Sequence, residues 1–93
     1  MHYLYILYSI SADKFYVGET YNVSERIAKH NEHQYANSFT KIANDWKLVL
    51  SFECQNEQEA NYLEKFIKRM KSKTFIQKII DKPEILTDIL SQR

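Results

Sequence analysis

Arg26 and Glu64 both stand where charge is expensive. The i, i+3, i+4, i+7 stripe that begins at Val23 reads Val23, Arg26, Ile27, His30, so half of an inward helical face is cationic or titratable. The matching stripe of a later, longer helix reads Ala60, Leu63, Glu64, Ile67, extended by Met70 and Lys71. A charge at the edge of a core costs several kcal/mol unless it is paired, hydrogen-bonded or bound to metal. A salt bridge across the core edge, or aliphatic stems that carry both charges out to solvent, would meet that cost structurally. A half-buried polar site between the two helices and a neighbouring hairpin would meet it functionally.

Gly18, the only glycine in the chain, lies inside "KFYVGET", which otherwise reads as strand. Glycine weakens a strand, and one kept there marks a bulge, a bend or the close approach of another group. Tyr16 precedes it by two residues and shares its face, while Tyr5 shares a face with Tyr3 in the preceding strand. Two phenolic hydroxyls presented at the surface near Gly18 are one expectation; cross-strand aromatic pairing accounts for the same tyrosines without a site. The segment "KFIKRMKSK" carries Lys or Arg at five of nine positions. It is either a solvated helix face or a patch that tracks phosphates.

The elements that must position these groups are legible in turn. "YLYILYS" and "FYVGET" are aromatic and β-branched, with turn residues "SADK" between them, which predicts an antiparallel hairpin. "NVSERIAKHNE" predicts a helix capped by Asn22, with Glu25 completing a capping box. "HQYANSFTKIAND" reads as an irregular loop, "WKLVLSFEC" as a third strand, and "NEQEANYLEKFIKRMKSK" as the longest helix, capped by Asn56. "TFIQKII" fits helix or a short extended segment, and Pro83 is expected at the first helical position of a final helix. The order β-β-α-β-α plus a helical tail predicts an α+β domain: a small three-stranded, mostly antiparallel sheet flanked by helices. Residues 1–82 form the expected domain and 83–93 a helical tail packed on it or extending from it.

Composition bounds the function. Ninety-three residues, 44% of them apolar and 14% aromatic, predict one folded domain with a modest core. The lone cysteine, Cys54, excludes an intramolecular disulfide and a metal site built from cysteine pairs. No apolar run is long enough to span a bilayer and the first residues do not read as a signal peptide, so a cytoplasmic protein without membrane partners is expected. The formal net charge is only +1, so any nucleic-acid role rests on local charge.

Tyr3-Leu4-Tyr5, then Tyr16-Val17-Gly18 after ten intervening residues, then Arg26 and later Glu64, together resemble the GIY-YIG nuclease family. The likeness is to its small stand-alone bacterial members and to the N-terminal domain of excision-repair nucleases. Five blocks follow in family order: "YLYILYS", "FYVGET", "NVSERIAKHN", "SFTKIANDWKLVL" and "EANYLEKFIKRMKSK". The resemblance implies a metal-dependent endonuclease that makes single-strand cuts in structured or damaged DNA, with DNA ahead of RNA as substrate. It implies that Tyr5 and Tyr16 line the site, one of them as general base or its positioner, and that Arg26 contacts the scissile phosphate. It implies that Glu64 holds one divalent ion, Mg²⁺ or Mn²⁺, and that His30 joins the site. Gly18 would let the nucleic-acid backbone and neighbouring site groups come close to the sheet, with Thr20, Asn22, Lys68 and Arg69 as further substrate contacts. Two positions depart from the motif, Tyr3 for its glycine and Leu4 for its isoleucine. The near-neutral charge implies weak substrate binding or a partner protein that supplies specificity. A non-catalytic nucleic-acid-binding module and a protein-interaction module on the same fold are the alternatives.

Overall fold

The computed structural model describes residues 1–32 and 42–93. The chain runs β1 (His2–Ser9), β2 (Lys14–Thr20), α1 (Val23–Asn31), β3 (Trp46–Cys54), α2 (Glu57–Met70), α3 (Lys73–Asp81) and α4 (Glu84–Ser91). This is the expected α+β order. The sheet is antiparallel throughout, in the order β2-β1-β3.

β1 is therefore central, and the two-residue period of a strand divides its side chains between two cores. Leu4 and Ile6 point into the larger one, with Val17, Cys54, Ala60, Leu63, Ile67, Ile79 and Leu86. Tyr5 and Leu7 point into the smaller one, where Ala43 and Trp46 are buried and Tyr16, Val23 and Ile27 pack at the margin. Helices α2, α3 and α4 thus cover one face of the sheet and α1 the other. Leu86, fully buried, ties α4 into the larger core.

Polar side chains fix the connections. Asp45, just before β3, accepts hydrogen bonds from the Ser9 hydroxyl, the Ser11 hydroxyl (2.9 Å) and the Ser11 amide (3.0 Å), tying the β1–β2 turn to the third strand. Those bonds favour the carboxylate and lower the Asp45 pKa to about 2. Asn31, the last residue of α1, clasps β3: its amide donates to Trp46 O at 3.0 Å and its oxygen accepts from Trp46 N at 2.8 Å. Ile6 pairs with Leu50 but Leu7 with Leu48, which leaves Val49 as a bulge in β3.

Several expectations need correction. Asn22 caps α1 by accepting from Glu25 N at 3.0 Å, but the Glu25 carboxylate pairs with Lys29 at 2.9 Å, so the capping box is only half made. The long helix ends earlier than predicted, at Met70. Lys71 turns left-handed (φ 48, ψ 42) and Ser72 caps a new helix by accepting from Phe75 N at 3.0 Å. "TFIQKII" is accordingly helical. Pro83 occupies the cap of α4 rather than its first turn. Of the expected loop from His33 to Asp45, residues 33–41 lie outside the described residues. No described helix is long and apolar enough to cross a membrane.

Candidate active site

The hairpin register sets Tyr5 directly across from Gly18. A Cβ at position 18 would lie 2.5 Å from Tyr5 Oη, 2.6 Å from Cζ and 2.9 Å from Cε1. Gly18 does not have a positive φ, so glycine is required here for space and not for backbone freedom. The room it leaves is filled by the Tyr5 ring, so the close approach that Gly18 permits is that of a neighbouring site group.

Tyr5 itself is fully buried, which corrects the expectation of two surface phenols. Its hydroxyl lies 3.0 Å from His30 Nε2, and His30 is only 2% exposed. Burial, and then the nearby Arg26 charge, push the His30 pKa down to about 4. The imidazole is neutral at pH 7 and its Nε2 donates or accepts according to tautomer. Tyr16 keeps partial solvent access, with its ring centroid 4.6 Å from that of His30 and 6.2 Å from that of Tyr5. The stripe Val23, Arg26, Ile27, His30 thus brings the half-buried Arg26 and the His30 imidazole to the face of the sheet that carries Tyr5 and Tyr16.

Glu64 and Lys68 approach from the other face, on α2. β2 is an edge strand, and Lys68 reaches past it to place Nζ 5.4 Å from the Tyr16 ring centroid. The same ammonium lies 3.0 Å from Glu64 Oε2, one helical turn away. Lys68 therefore links the carboxylate to the ring cluster.

Thr20 and Asn22 have local partners. Thr20 is 3% exposed; its hydroxyl accepts from Asn22 N at 3.1 Å and donates to Asn22 O at 3.3 Å. Together with the Asn22 cap, that turn sets where α1 begins, and so where Arg26 and His30 fall. Arg69 is exposed, about 100° round α2 from Lys68.

Two phenols, an imidazole and a guanidinium on one sheet face, with a carboxylate–lysine pair across the edge, are built by the hairpin and the two helices that follow it. The same stretch of chain, residues 1–79, matches the GIY-YIG catalytic domain. The chain belongs to the GIY-YIG family. No curated protein and no solved structure matches it. A GIY-YIG domain is a nuclease-type fold whose substrates are nucleic acids, and its members generally use divalent metal ions.

Among the described residues, no group of three His, Cys, Asp or Glu side chains is placed to share a metal. Glu64, 19% exposed, is the carboxylate that Lys68 ties to the ring cluster. A lone carboxylate fits an Mg²⁺ ion, which dehydrates reluctantly and is commonly held by one or two carboxylates with water and substrate phosphate. Sequence reasoning missed the Lys68–Tyr16 contact and the Asn31 clasp. The i, i+4 spacing of Glu64 and Lys68 signals their pairing, whereas the other contacts exist only once helices dock on the sheet.

Proposed function

We propose that this protein is a metal-dependent endonuclease that hydrolyses phosphodiester bonds in DNA, cutting one strand of structured or damaged DNA in the cytoplasm, as in repair. The observation that carries this reading is the Tyr5–His30–Tyr16 ring cluster beside Arg26, with Glu64 and Lys68 across the β2 edge. Phosphodiester hydrolysis needs charge placed against the non-bridging oxygens, a deprotonated nucleophile and help for the departing oxygen. Arg26 brings a planar fork of donors to the phosphate. Tyr16, the phenol with solvent access, meets the attacking water, with the Lys68 ammonium 5.4 Å from its ring centroid. Tyr5 and the neutral His30 are positioning residues that hold the wall against which Tyr16 stands. Glu64 would hold the Mg²⁺ or Mn²⁺ ion, which when bound supplies a Lewis acid to the phosphate.

The test is cleavage of a panel of DNA structures in Mg²⁺ or Mn²⁺, with Glu64→Ala and Arg26→Ala run alongside. Each variant should lose at least about 100-fold in rate, the scale of removing one transition-state stabiliser. Equal cutting by wild type and Glu64→Ala would overturn the reading. Salt-sensitive binding of DNA by wild type without any cutting would establish a binding module instead.

A further inference from the structure

A cleft runs along the open edge of β2, starting at Tyr16 and Lys68 beside the ring cluster. One part, about 440 Å³, lies between β2 and the α2–α3 turn, with Val17, Ile67 and Ile76 below and Lys14, Lys68 and Lys71 around it. A second part, about 450 Å³, shares Asp13, Phe15 and Lys73 with the first and continues past Tyr8 and Val49. Two aromatic rings lie side by side along this path, Phe15 and Tyr8, with centroids 4.9 Å apart.

Charge is one-sided. Among the described residues Asp13 is the only carboxylate lining either part, and Lys73 Nζ neutralises it at 2.9 Å. Lys14 and Lys71 make no ion pair among the described residues. The backbone adds a second signal. Asp13 (φ 51) and Lys71 (φ 48) are the only described non-glycine residues with positive φ, and both line this cleft. A left-handed lysine at a helix end, where glycine is usual, puts a cation where the backbone disfavours any side chain. Such outliers gather at ligand clamps.

We propose that this cleft holds a single-stranded segment of the nucleic acid next to the cut site, with Lys14 and Lys71 on its phosphates and bases laid against Phe15 and the apolar floor. This rests on the nuclease reading and adds the kind of strand and its path. A duplex buries its base faces and meets a protein through phosphates and groove edges, so it can use a lysine rim but not the apolar, aromatic floor beneath it. A single strand offers phosphates and ring faces together.

The test is fluorescence anisotropy of a labelled 12-nucleotide single strand and the matching duplex, titrated in EDTA at several salt concentrations. Wild type is compared with Lys14→Glu/Lys71→Glu, both exposed positions, with folding checked by circular dichroism. The double variant should bind the single strand at least about 10-fold more weakly and flatten its salt slope by about 1.4, two phosphate contacts' worth. Duplex affinity should change less than about 3-fold, and in Mg²⁺ a substrate with a single-stranded overhang should be cut more slowly. Unchanged single-strand binding, or equal losses for strand and duplex, would overturn the cleft assignment while cutting by wild type leaves the nuclease reading intact. A wild type that neither binds nor cuts any nucleic acid would instead remove the nuclease reading, and the cleft assignment with it. If the double variant does not fold, Lys14→Gln and Lys71→Gln singly must each weaken the single strand about 3-fold or the assignment falls.

Discussion

A methyl group on residue 18 would arrive 2.6 Å from Tyr5 Cζ, so Gly18→Ala must push the phenol off His30 or spread the hairpin. Overpacking of this kind costs about 1–3 kcal/mol. The urea midpoint should fall accordingly, and cleavage with it. His30 gives a pH signature. Its folded pKa, about 4, lies below the unfolded value of 6.5, so the unfolded chain binds the proton more tightly. The resulting stability is fully present above pH 6.5 and lost progressively as pH falls to about 4, on the order of 3 kcal/mol in all. Urea titrations at pH 7 and pH 4.5 should show the loss in wild type, and His30→Gln, which keeps a donor and an acceptor, should largely abolish it. Arg26, His30 and Glu64 were legible as charges in apolar stripes, because helical period alone puts them there. The sealing of Tyr5 was not, because strand period assigns a face but does not say that α1 will cover it.

At the scale of elements, the chain's caps were readable and its junctions were not. Asn22 and Asn56 accept from the amides three residues on, at 3.0 and 2.9 Å, as side chains with short carbonyl arms do. Asn56→Ala should destabilise the fold by about 1 kcal/mol in urea unfolding. The break at Lys71 escaped sequence reading because lysine is an ordinary helix former and nothing local demands a left-handed turn. Lys71→Gly should therefore leave stability unchanged or raise it by up to about 1 kcal/mol, while weakening single-strand binding. A residue that is bad for its own helix and good for the cleft would show that opposite pair of effects in one variant. The α3 helix was ambiguous for a related reason: "TFIQKII" is β-branched and apolar, and only Ser72 as a cap decides for helix.

The whole molecule is a thin sheet closed on both faces, with the candidate site wrapped over one of its edges. Its two cores are apolar, and Glu64 lies outside them, paired with Lys68. Chelation with EDTA should accordingly abolish cleavage and leave the urea midpoint unmoved, so that chemistry and folding respond to the ion separately. The β-β-α-β-α order was legible because each element carries its own pattern; which helices share a face was not, since that is settled by docking. Cys54, the only cysteine in the sequence, is 2% exposed in the larger core, and burial raises its pKa. A buried thiol in apolar surroundings is inert. Alkylation at neutral pH should then proceed only through opening of that core, at a rate set by the open population. The protein carries its own stopwatch: a mass shift timed in dilute iodoacetamide would report the breathing of the sheet without any dye or engineered probe.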